Sequence, residues 1–127
     1  MATRFVATEE CDADLAFKES YIRAKESDLK IIKSPVGMPG RAIGNDFVRD
    51  VEGGKKKPFA CPYHCIVTCQ VDKAPYCISL ALLNAQKGRL DKGFAFAGSN
   101  AWRIEKIVPV QTLVDSLAQE FEAAQRA

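Results

Sequence analysis

The sequence predicts a mainly helical chain with one or two short strands, occupying residues 1–127 as a single unit. Three observations carry that prediction. Val110, Leu113, Val114, Leu117 and Phe121 recur at i, i+3, i+4, i+7 and i+11, the period of one helix face. Pro75 and Gly88 bracket an apolar stretch containing Ile78, Leu82, Leu83 and Ala85, so that a first-turn proline and a terminating glycine mark a second helix. The β-prone runs are confined to residues 3–8 (TRFVAT) and 29–32 (LKII). Two isolated strands make no self-contained sheet, which points to a piece of a larger fold.

Taken in order, the run 3–8 is expected to be a strand. A helix follows Asp12, a good N-cap type, with Leu15, Phe17, Tyr21, Ile22 and Ala24 on a moderately apolar face. Residues 29–32 form the second strand. Two prolines and two glycines in 34–40 (SPVGMPG) exclude regular structure there. A short helix over 45–52 buries Phe47, Val48 and Val51 and stops at Gly53-Gly54. Residues 55–73 form a basic, cysteine-bearing loop, and residues 94–98 (FAFAG) a small apolar segment entering a Gly-Ser-Asn turn. The last helix starts near Pro109, and its stripe is expected to pack into the core.

A chain of 127 residues buries a modest core, not that of a barrel of roughly 250 residues. Eighteen basic and 16 acidic residues give a net charge of +2, with no general case for nucleic acid or membrane binding. Lys55-Lys56-Lys57 reads as a solvated loop. No apolar run approaches the ~18 residues of a membrane helix, and no signal-peptide pattern opens the chain, so a cytoplasmic location is expected. A reducing compartment makes structural disulfides unexpected among Cys11, Cys61, Cys65, Cys69 and Cys77. Cys61, Cys65, Cys69 and Cys77, with His64 among them, are either zinc or iron–sulfur ligands or small buried thiols. Their spacing is not a CxxC pair. A helical stretch would put the first three on one face.

Several segments together resemble one family. Thr3-Arg4-Phe5, followed by Ala7-Thr8-Glu9-Glu10, is similar to a Gly-Thr-Arg-Phe element that ends a last barrel strand. Residues 33–42 (KSPVGMPGRA) are similar to the Pro/Gly loop after the next helix. Residues 74–85, Gly88, Gly93, 97–101 (AGSNA) and 103–108 (RIEKIV) complete the pattern, in order and over essentially the whole chain. The family is that of the FMN-dependent nitronate monooxygenases (2-nitropropane dioxygenases), with FMN-dependent enoyl-acyl-carrier-protein reductases as relatives.

The resemblance implies an α/β fold, the C-terminal fragment of a (β/α)8 barrel with FMN at the C-terminal ends of its strands. It implies oxidation of an alkyl nitronate by FMN and oxygen to a carbonyl compound and nitrite. In that family the glycine and threonine of the first element offer backbone N–H groups to the FMN phosphate, so Ala2 and Thr3 are the cofactor-binding candidates; Ala2 stands where the family has glycine. The first seven barrel strands have no counterpart, and the family's catalytic histidine belongs to that part. His64 lies in the cysteine loop, so no catalytic residue is carried over, and the fragment is expected to be inactive alone. The expected partners are FMN, a small nitronate, and the remaining barrel portion or a second copy. The rival reading is a non-enzymatic cysteine-rich module binding a metal or a partner protein. Arg4, Glu9 and Glu10 are either flavin-side groups or surface charges and caps. Ser99 and Asn100 are either a flavin-facing loop or a plain turn. The loop around Pro35, Gly37, Pro39 and Gly40 is either a lid or a rigid connection, and Trp102 is a packing anchor.

Overall fold

The computed structural model describes residues 2–61 and 63–126. Helix α1 spans Ala2–Val6 and α2 spans Leu15–Arg23. A single 3-10 turn, Glu26–Asp28, leads into strand β1, Leu29–Lys33, which pairs antiparallel with β2, Pro39–Ile43. Helix α3 is Asp46–Glu52, α4 is Ile78–Gln86 and α5 is Val110–Arg126, with a second 3-10 turn at Ala101–Arg103. Among the described residues no helix is long and apolar enough to cross a membrane.

The hairpin divides two small cores. Along β2, Ala42 faces a cluster of Ile32, Phe47, Val48, Tyr76, Ala81 and Phe94, while Ile43 faces a second one with Tyr21, Ala24, Ala95, Ala97 and Ala101. The segment 94–97 runs along the free edge of β2: Ile43 N–H donates to Ala95 O at 3.0 Å and Ala97 N–H to Arg41 O at 3.0 Å. Side chains alternate across extended backbone, so Phe94 enters the first core and Ala95 and Ala97 enter the second. The first core is an aromatic knot, with the Phe47 and Tyr76 rings 5.1 Å apart and Tyr76 and Phe94 5.9 Å apart, edge to face.

Helix α4 fits this knot through its small residues. Ala81 and Ala85 are buried, and a Cβ on Gly93 would stand 1.9 Å from Ala81 O, so only glycine lets the backbone pass. Gly88, at φ 78°, ends α4 as the sequence predicts. The proline start is displaced: the helix begins at Ile78, after Cys77.

Three expectations are corrected. Residues 3–8 are not a strand. Residues 2–6 form one helical turn, and only Thr8 pairs, in parallel with Val108, because among the described residues no other extended segment bridges to it. Helix α2 is capped by Asp14, whose carboxylate accepts from Ala16 N–H at 2.8 Å, and not by Asp12. The irregular loop is shorter than expected, since Pro39 and Gly40 already belong to β2; Pro39 sits at the strand's first position, where a missing N–H is tolerated.

Helix α5 departs most from expectation. Of its predicted stripe only Leu113 is buried; Val114 is 44% exposed and Phe121 64% exposed.

Candidate functional site

The flavin-side candidates come together although they lie at opposite ends of the chain. Thr3 sits in the first turn of α1, and its Oγ1 accepts the Gly98 N–H at 3.0 Å. That bond joins the Thr-Arg-Phe element to the turn Gly98-Ser99-Asn100-Ala101, which closes through Ala101 N–H donating to Gly98 O at 3.1 Å. Ala2, Ser99 and Asn100 are exposed around it. First-turn amides of a helix have no carbonyl partner within it, which leaves the N–H groups of Ala2 and Thr3 without one inside α1. The Thr3 oxygen is already occupied as an acceptor by Gly98, which leaves its O–H as a further donor. These are N–H and O–H donors, the type of group an anion takes, and Ala2 is exposed.

The surrounding residues fix this corner. Thr8 Oγ1 donates to Phe5 O at 2.7 Å and closes the short helix. Lys18 is buried, with its ammonium donating to Thr8 O at 2.8 Å and Glu9 O at 3.3 Å. Arg4 forks onto Glu120 of α5 at 3.0 and 3.2 Å. The Arg4 hydrogen bond, with one from Ser116, holds the Glu120 carboxyl below its ordinary range. Glu10 caps α5 by accepting from Val110 N–H at 2.9 and 3.0 Å. Arg4 and Glu10 therefore act as a clamp and a cap. Tyr21 donates to Phe96 O at 2.7 Å, and its hydroxyl is pushed up to about 12, first by burial and then by Cys11.

Sequence reasoning passed over Lys18, and it gave Asn45 only as the first residue of the helix over 45–52. Lys18 lies three residues before Tyr21 on the inward face of α2, an apolar position that a lysine reaches only with carbonyls to receive it. Asn45 caps α3, accepting from Val48 N–H at 2.9 Å, and its amide donates to Leu90 O at 3.0 Å and Gly93 O at 2.8 Å. Only the cap was legible, from an Asn directly before a helical pattern.

The cysteine loop is extended and turned, not helical, so Cys61, Cys65 and Cys69 do not share a helix face. Cys65 Sγ lies 3.4 Å from Ser79 Oγ, and Cys61 Sγ accepts from His64 N–H at 3.4 Å. Among the described residues no three His, Cys, Asp or Glu side chains are grouped to hold a metal, so zinc and iron–sulfur find no assembled ligand set here. Between this loop, the 34–38 turn and α3 lies an open groove of about 990 Å3, floored by Phe47, Val48, Tyr76 and Phe94.

No curated protein matches the chain. Ten chains of solved structure do. FabK from Thermotoga maritima superposes with a TM-score of 0.75 at 24% identity, over 98% of this chain and 36% of that one. Its M276A mutant gives 0.69 at 23% identity, over 98% and 33%. These likenesses concern the fold, and the chain spans about a third of the length of those structures. The chain is a small, largely helical fragment with one two-stranded sheet, consistent with part of a barrel of that family. The family model described as nitronate monooxygenase matches residues 1–120, and with nearly the whole sequence covered the chain belongs to the nitronate monooxygenase family.

Proposed function

We propose that this chain supplies the cofactor-phosphate corner and the adjoining C-terminal elements of an FMN-dependent oxidoreductase that oxidises alkyl nitronates to a carbonyl compound and nitrite. The observation that carries the reading is the Thr3–Gly98 hydrogen bond, which joins two segments that both resemble flavin-side elements of the family. Members of that family are FMN-dependent. When bound, FMN supplies the electron transfer. The N–H groups of Ala2 and Thr3 and the Thr3 hydroxyl receive its phosphate. Gly98 orients the hydroxyl, and Lys18, Thr8 and Glu10 hold the turn in place. No described residue is assigned as the catalytic base, so turnover belongs to the complete barrel.

A second reading, reduction of an enoyl-acyl-carrier-protein thioester, is favoured by the likeness to FabK, a reductase of that kind. Both readings place FMN in the same corner. Amide NMR of the chain titrated with FMN and with riboflavin, which lacks the phosphate, tests that corner. FMN is expected to move the resonances of Ala2, Thr3 and Gly98, and riboflavin to leave them in place. Thr3→Val should weaken FMN about tenfold or more, the effect of losing a hydrogen bond to a charged group. Equal shifts from both compounds would remove the phosphate assignment. Nitrite release from a nitronate by the complete barrel separates the two reactions.

A further inference from the structure

We infer that the groove between the 34–38 turn, α3 and the 68–76 segment binds an amphiphilic anion, a linear hydrocarbon chain ending in a carboxylate or a phosphate. The volume of about 990 Å3 stands at the upper end of the ~300–1,000 Å3 typical of small-molecule sites. The residues beneath it, Phe47, Val48, Tyr76 and Phe94, are themselves buried, and the apolar side chains that the groove presents are Val36 and Val51, half-buried, and Met38, 73% exposed. Apolar surface presented to water at a concave site favours a hydrocarbon ligand.

The rim selects the head group. Lys33 at the end of β1, Lys56 after α3 and Lys73 before α4 come from three separate parts of the chain to line the same groove. Glu52, the acidic group of the lining, is engaged by Lys30 at 3.6 Å, and Lys55 by Asp50 at 2.7 Å. Among the described residues Lys33, Lys56 and Lys73 meet no carboxylate. Three like charges gathered around one opening without a counter-charge attract an anion and repel a cation. A small hydrophilic anion would leave Val36, Met38 and Val51 wet, and a neutral chain would leave the lysines unused; an amphiphilic anion matches both.

This inference does not depend on flavin, and its test contains none. Calorimetric titration of the chain uses octanoate, decanoate, decyl phosphate and decyltrimethylammonium below their micellar concentrations. The expected result is one site per chain, with affinity rising about fourfold per added methylene and no binding of the ammonium compound. The ratio of decanoate to decyl phosphate affinity identifies the head group. The K33E/K56E/K73E variant should lose binding by about tenfold or more, and Lys73→Glu alone by less. Should the triple variant fail to fold, loss of decanoate affinity with added salt in the unaltered chain reads the same rim. Equal binding of decyltrimethylammonium, equal affinity for octanoate and decanoate, or a salt-insensitive site would each overturn the assignment.

Discussion

Helices α4 and α5 are the two best-marked helices of the sequence, and they are held by opposite means. Helix α5 carries the sharper amphipathic stripe, yet only Leu113 is covered, and the helix is tied down by polar contacts at its surface: Glu10 on its first turn and Arg4 on Glu120. Helix α4 carries a weaker pattern, yet its alanines and the passing backbone of Gly93 lock it into the aromatic core. A stripe states which face of a helix is apolar. It does not state what covers that face. Tight packing here comes from small residues, which a hydrophobic pattern barely registers.

The largest effect should come from breaking the α4 contact. Gly93→Val puts side-chain atoms into the Ala81 carbonyl. It should cost about 3 kcal/mol or more, enough to unfold the first core, as read by loss of cooperative urea unfolding. Within α5 the contrast sharpens: Leu113→Ala should cost about 2–3 kcal/mol, and Phe121→Ala within about 0.5 kcal/mol of nothing. Equal costs for the two would mean that the α5 stripe is buried after all in solution. The smallest effect is electrostatic. Glu120 titrates below its ordinary value, so its contribution is present above the unfolded carboxyl pKa and is lost as pH falls through the lowered one. Carbon-detected titration should find that Arg4→Met returns Glu120 towards its ordinary value while the amide signals of α4 stay unchanged.

Much of the fold was legible because its signals are local. Residues 29–32 are short and end on two β-branched isoleucines, Gly88 must follow a helix at positive φ, and Asn45 stands at the start of a helical pattern. What stayed hidden is long-range. The run at 3–8 has strand-like residues, but a strand needs a neighbour, and only Val108, a hundred residues on, comes close enough to pair with Thr8. Phe94 to Ala97 is small and apolar in sequence, and nothing local reveals that it becomes a third row beside β2. The candidate site was visible in its parts through the family resemblance. The link between Thr3 and Gly98 was not, since no spacing rule connects positions 3 and 98.

The alternation of Phe94, Ala95, Phe96 and Ala97 has a consequence for how the molecule opens. One four-residue segment walls both cores, so neither can loosen without withdrawing side chains from the other. The hairpin, α2, α3 and α4 are therefore expected to exchange their amide hydrogens as one cooperative unit, as native-state hydrogen exchange would show. The turn at Gly98 is the next link of that same segment, and Thr3 is tied to it by a single exposed hydrogen bond, so the corner around Thr3 is expected to open at lower cost than this unit.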